Sequence, residues 1–123
     1  MDKFIPYILP AGFVLFFLWR RLKFRRIRKA LPRYLEQGAQ IVDVRSPAEF
    51  NASHFPDSIN IPLGSLPGRA GKLNKEKPVL LCCASGARSG MAVAILKQQG
   101  FKEVLNIGPW QNLFPNQAGA SGT

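Results

Sequence analysis

Apolar and polar positions divide the chain into three stretches. From Phe4 to Trp19 (FIPYILPAGFVLFFLW) no position carries a charge. From Arg20 to Lys29, basic residues interleave with Leu22, Phe24 and Ile27. Beyond Ala30, short apolar runs alternate with segments of helical spacing. The runs Ile41–Arg45 (IVDVR), Ile59–Leu63 (INIPL), Val79–Cys82 (VLLC) and Phe101–Ile107 (FKEVLNI) carry β-prone residues and read as strands. Leu31 and Leu35, four apart with Tyr34 beside them, predict a short helix over 30–38, carried on from the basic stretch, bent near Pro32 and stopped at Gly38. Ser46 before Pro47, with Glu49 three positions on, is a capping box opening another short helix. Met91, Ala94, Ile95 and Leu96 share one helical face, and Gly100 supplies the stop. Leu63–Lys77 reads as a loop with a short helix. Strands alternating with helices predict an α/β domain over residues 30–114, its central parallel sheet flanked by helices on both faces. Pro115–Thr123 is small and polar, and is expected to be a disordered tail.

Charge changes the picture only at the amino-terminal end. The net charge is +10, and seven of the seventeen basic residues lie between Arg20 and Lys29. The high pI therefore describes one segment and not the spread basic face of a nucleic-acid-binding domain. An uncharged run followed by a basic collar predicts a transmembrane helix, with residues 1–29 as anchor and juxtamembrane segment and the lipid bilayer as partner through residues 4–19. The run is short against the roughly 20 residues a helix needs to cross, a gap that snorkelling arginines and local thinning would close. A signal peptide would place its basic residues before the run, and an uninterrupted apolar stretch argues against a helix lying on the surface. The positive-inside rule then leaves the carboxyl-terminal domain in the cytoplasm, at the inner membrane for a bacterial chain.

The chemistry lies in PVLLCCASGARSG, Pro78 to Gly90. Here a strand runs into a tight loop and a helix follows, so the loop's backbone N–H groups have no helical partners and the helix dipole places positive charge beside them. Cys83 opens that loop, where amides and Arg88 would lower its pKa and leave a thiolate, the form that acts as nucleophile. Gly86 permits unusual backbone angles, Ser85 and Ser89 offer hydroxyls, and Arg88 is the fixed cation. The plain alternative is a buried cysteine acting as a small hydrophobe. If Cys82 were the nucleophile, its distance from Arg88 would match the loop of cysteine phosphatases and arsenate reductases. Alternation along a strand should turn Cys82 to the other face, and the loop has no Asp or Glu to serve as general acid. Adjacent cysteines form no ordinary structural disulfide. His54 stands without the companions a metal site needs, so it reads as satisfying local hydrogen bonds, and no metal or cofactor is expected.

The loop Cys83-Ala84-Ser85-Gly86-Ala87-Arg88 resembles the active-site loop of the rhodanese (sulfurtransferase) family, in which Cys opens a six-residue loop. The resemblance extends to DVRSPAEF at Asp43–Phe50, to His54 before a second strand, and to a relaxed ending at Gly108-Pro109-Trp110. Ser53 and Phe55-Pro56-Asp57-Ser58 depart from the family's usual turn, and Ala84 stands where many members carry a polar or charged residue. The resemblance implies a rhodanese-like fold and transfer of sulfane sulfur through a persulfide on Cys83. The donor would be thiosulfate-like and the acceptor cyanide or a thiol, with residues 84–88 as the cradle and Asp43, Arg45 and Ser89 as structural support. Arg45 is expected to pair with Glu49, and Asp43 with a neighbouring loop. A rhodanese-fold binding module with little catalysis is the remaining alternative.

Overall fold

The computed structural model describes residues 5–114, so the expected tail at 115–123 and the first residue of the apolar run, Phe4, lie outside the described residues. Helix α1 (Ile5–Glu36) is followed by β1 (Gln40–Asp43), α2 (Pro47–Ala52), β2 (Ile59–Asn60), α3 (Leu66–Arg69), β3 (Val79–Cys83), α4 (Ala87–Gln98) and β4 (Val104–Pro109). Single 3-10 turns at Leu63–Ser65, Ala70–Lys72 and Trp110–Leu113 complete the described chain. The four strands form one parallel sheet in the order β2-β1-β3-β4. A parallel sheet must be covered on both faces, and this one is. Val42, Val44, Leu81, Cys83, Ala92 and Leu96 pack on the α4 side, while Ile41, Leu80, Cys82, Ile107 and Leu113 pack with Leu31 of α1 on the other. The central strand β3 is buried at every position.

Two boundaries move from the sequence reading. The strand expected over Ile59–Leu63 is regular only at Ile59 and Asn60, although the Ile61 and Leu63 N–H groups still donate to the Asp43 and Val44 carbonyls, and Pro62 falls where the N–H would face the open edge of the sheet. The helix expected over 30–38 as a continuation of the basic stretch is the last part of a longer one: α1 runs from Ile5 to Glu36, with Pro10 and Pro32 inside it, and the chain turns away at Gly38 with φ +81°.

The transmembrane helix is overturned. No helix among the described residues is long and apolar enough to cross a membrane. At 1.5 Å per residue the uncharged part of α1, Ile5 to Trp19, covers only about 22 Å against a hydrocarbon core of about 30 Å. The same helix then continues into Arg20 and Arg21. The bilayer as partner, and the single-pass placement with a cytoplasmic domain, fall with it. Apolar side chains of this part of α1, Phe13 and Trp19 among them, are exposed.

At the carboxyl end of β1, Asp43 and Arg45 are both buried and pair with each other, with Arg45 Nε 3.0 Å from both carboxylate oxygens and Nη2 2.9 Å from one. The expected Arg45–Glu49 pair does not form. Arg45 also donates to the Ser53 carbonyl at 2.6 Å and lies over the Trp110 ring, so one guanidinium ties β1 to the turn after α2 and to the chain end of the domain. Asn60 donates to the carbonyls of Asp43 and Arg45 and closes the same corner. Removing one member of such a pair leaves a buried charge alone. Arg45→Leu should therefore cost about 3–5 kcal/mol in urea denaturation, and adding Asp43→Leu should recover much of it; equal stability of the single variant and the native chain would contradict this.

Candidate active site

The loop after β3 takes its shape from Gly86. Its φ of +103° turns the chain back over Cys83, a conformation that costs a residue with a Cβ, and it leads directly into α4. The turn aims the start of α4 at the sulfur. The Gly86 N–H donates to Cys83 Sγ at 2.9 Å, the Ser89 N–H lies at 3.5 Å, and Ser89 Oγ is 3.3 Å away. Burial pushes the Cys83 thiol up. The Ser89 hydroxyl and amide and the Gly86 and Ser85 amides more than offset it, so the net pKa falls below the ordinary thiol value. Cys83 has no exposed surface. The sulfur is thus held in a ring of donors and covered by its own loop, whose Ala84, Ser85 and Ala87 are exposed.

Cys82 is equally buried but has different surroundings. It faces the α1 side of the sheet, opposite Asp43 in the register, and burial together with the Asp43 charge pushes its thiol up, well above the ordinary value. Strand alternation separates the two sulfurs, and only one meets the loop. No disulfide joins them.

Arg88 reaches away from the sulfur to α2. Its Nη1 and Nη2 bind the two carboxylate oxygens of Glu49 at 2.6 and 3.0 Å, a bidentate and half-exposed pair. The Arg88 guanidinium, with the Ser46 amide next, draws the Glu49 carboxyl down from 4.5 to about 2. Glu49 also completes the capping box, accepting from the Ser46 N–H at 3.1 Å while its own N–H donates to Ser46 Oγ. Arg88 is therefore the loop's tether to α2. His54 bonds the Phe50 carbonyl at 2.7 Å and stacks on the Phe50 ring, a local arrangement as the sequence suggests. No group of three metal-ligating side chains occurs among the described residues.

Three contributors were not legible in the sequence. Asn106 of β4 accepts from Ser89 Oγ at 2.6 Å and from the Gly108 N–H at 2.9 Å, and donates to the Gly86 carbonyl at 3.0 Å. One amide thereby fixes the hydroxyl beside the sulfur and both glycines at the loop's rim. Its strand position was visible, but which loop it faces depends on the β3–β4 register and its irregularity at Leu81/Cys82. Phe24 and Arg20 of α1 reach the same loop from the opposite side: the Phe24 ring lies against Gly86 and Gly108, and Arg20 Nη2 donates to the Ser85 carbonyl. Only the packing of α1 across the sheet brings them there.

Comparison with known proteins agrees with this geometry. The model of the rhodanese-like domain matches residues 28–108. The putative sulfur carrier protein YrkF of Bacillus subtilis is 40% identical over 74 residues, a match that covers 60% of this chain and 40% of that protein. The thiosulfate sulfurtransferase GlpE of Pseudomonas syringae is 33% identical over 100 residues, 77% of this chain and 94% of that protein. Among solved structures, the rhodanese with anions from E. coli superposes with a TM-score of 0.59 at 31% identity, covering 62% of this chain and 92% of that one. A parallel sheet, a cysteine loop built on a left-handed glycine and a family match across that whole unit place the chain in the rhodanese-like domain family.

Proposed function

We propose that the chain is a sulfurtransferase that carries sulfane sulfur as a persulfide on Cys83, with residues 30–114 as the catalytic unit. The supporting observation is the cradle itself: a sulfur 2.9 Å from the Gly86 amide, with the Ser89 amide and hydroxyl beside it and a lowered pKa. The names of the GlpE relatives point to the same chemistry.

The nucleophile needs no general base, because the donors already favour the thiolate. Cys83 Sγ attacks the outer sulfur of a thiosulfate-like donor. A new S–S bond forms to Cys83, the donor's S–S bond breaks, and sulfite departs with the bonding pair. The charge now sits on the outer sulfur, where the loop residues Ala84, Ser85, Gly86, Ala87 and Arg88 surround it with amides at the positive end of α4. A thiophilic acceptor, cyanide or a thiolate, attacks that outer sulfur, and Cys83 thiolate leaves. The steps balance without a cofactor. Because Cys83 is fully covered, the donor enters only as the exposed loop residues yield. Arg88 works here as tether and distant charge, since its guanidinium is engaged by Glu49. Asp43 and Arg45 hold the end of β1 beside the loop.

The phosphatase reading through Cys82 has no support from this geometry, since that sulfur lies on the opposite face with its pKa raised.

Incubating the full chain with thiosulfate should add the mass of one sulfur atom, on Cys83. The adduct should vanish in Cys83→Ser and persist in Cys82→Ser; no adduct on the native chain would leave a rhodanese-fold module without this chemistry. Ser89→Ala removes the hydroxyl 3.3 Å from the sulfur together with its link to Asn106, so the midpoint of the loading rate against pH should move upward, and an unmoved profile would remove the Ser89 hydroxyl from the account. The Glu49–Arg88 tether carries its own pH signature. A carboxyl lowered from 4.5 to about 2 in the folded chain contributes stability that is fully present above the unfolded value and disappears as pH falls through the folded one. Acid titration should therefore show native stability falling more than that of Glu49→Gln between those two values, and parallel curves would contradict the pairing.

A further inference from the structure

Helix α1 begins well before the family match at residue 28, and the residues that touch the cysteine loop, Arg20 and Phe24, lie outside that match. We propose that Phe24 and Arg20 are positioning residues of the sulfur-transfer site, a clamp supplied by α1 that holds the Cys83 loop in the shape that aims its amides at the sulfur. The inference rests on the reading of Cys83 as the reactive sulfur.

The argument begins with two glycines. Gly86 and Gly108 both adopt positive φ, +103° and +85°, and they face each other, since a Cβ on Gly86 would lie 3.3 Å from Gly108 Cα. Together they leave a notch that a side chain at either position would crowd. The Phe24 ring fills it: a Cβ on Gly108 would stand 2.7 Å from the ring tip, and one on Gly86 would stand 3.2 Å from it. Gly86 is the residue whose N–H binds Cys83 Sγ, so the ring presses on the backbone unit that makes the shortest contact to the sulfur. Arg20 adds a second hold one residue upstream. Its guanidinium lies over the Phe24 ring, 5.2 Å from the ring centroid, and donates to the carbonyl of Ser85, whose N–H also lowers the Cys83 pKa.

Asn106 grips the same loop from β4 through the Gly86 carbonyl, and Arg88 grips it from α2. The α1 clamp adds a third hold, at Gly86 and the Ser85 carbonyl. A sulfur without exposed surface keeps its charge only while the donors stay aimed, so a slack loop raises its pKa. The charged groups on the other packed elements are Arg88 of α4, Glu49 of α2, and Asp43 with Arg45 at the end of β1; α1 contributes Arg20.

The test is the pH dependence of Cys83 alkylation by iodoacetamide, read by mass on the full chain, in Phe24→Ala, Phe24→Leu and Arg20→Gln. The midpoint is the readout, because loosening the loop also changes access and thus the plateau rate. The clamp predicts a higher midpoint in Phe24→Ala, with the thiolate fraction at neutral pH lower by on the order of tenfold. Phe24→Leu, which refills the notch, should recover most of it, and Arg20→Gln should move the same way by a smaller amount. Native-like circular dichroism qualifies each variant. If Phe24→Ala does not fold, Arg20→Gln decides, since it leaves the ring in place. Midpoints matching the native chain in every folded variant would overturn the clamp. That outcome is distinct from failure of the sulfurtransferase reading, which would show as a native chain that takes no sulfur from thiosulfate.

Discussion

The site depends on a contest at one atom. Burial of Cys83 opposes its ionisation, and the donors of a single loop reverse that effect. Neither side of the contest is dispensable. An exposed thiolate would be solvated and unselective, while a buried one without donors would stay protonated as Cys82 does. The Gly86 amide at 2.9 Å and the Ser89 pair decide the outcome, and they are aimed only because Gly86 reverses the chain at positive φ into the first turn of α4.

The rest of the architecture serves that aim. A parallel sheet brings the ends of β1, β3 and β4 to one edge, and each delivers a different part. From β1 comes the Asp43–Arg45 pair, which locks the corner beneath the loop and reaches the Ser53 carbonyl and Trp110. From β3 comes the sulfur, and from β4 comes Asn106, whose amide joins Ser89, Gly86 and Gly108. Beyond the sheet, α2 holds Arg88 through Glu49, and α1 lays Phe24 against the two glycines. Three elements outside its own strand and helix, β4, α2 and α1, therefore contact the loop.

What could be read from the sequence follows the range of the interactions. The loop from Cys83 to Arg88, the capping box at Ser46 and Glu49, the strand alternation that separates Cys82 from Cys83 and the stop at Gly38 are all set within a few residues, and the pattern carries them. Partners across the fold were not so set. Arg45 was expected to meet Glu49, four residues on, but Arg45 turns back to Asp43 while Glu49 meets Arg88, 39 positions away, once the fold brings the start of α4 within reach of α2. Asn106, Phe24 and Arg20 join the site only through strand register and helix packing. The amino-terminal segment misled for another reason: absence of charge over a short run resembles a membrane span, but hydropathy over a full crossing length is diluted by the basic residues of the same helix.

The central claim is that the donors of its loop favour the Cys83 thiolate and hold its pKa below that of an ordinary thiol. Its most direct measurement is an ultraviolet titration of thiolate absorbance on the full chain carrying Cys82→Ser, which leaves Cys83 as its one thiol. The account predicts an ionisation midpoint below the ordinary thiol value of about 8.5. A midpoint at or above that value would contradict it.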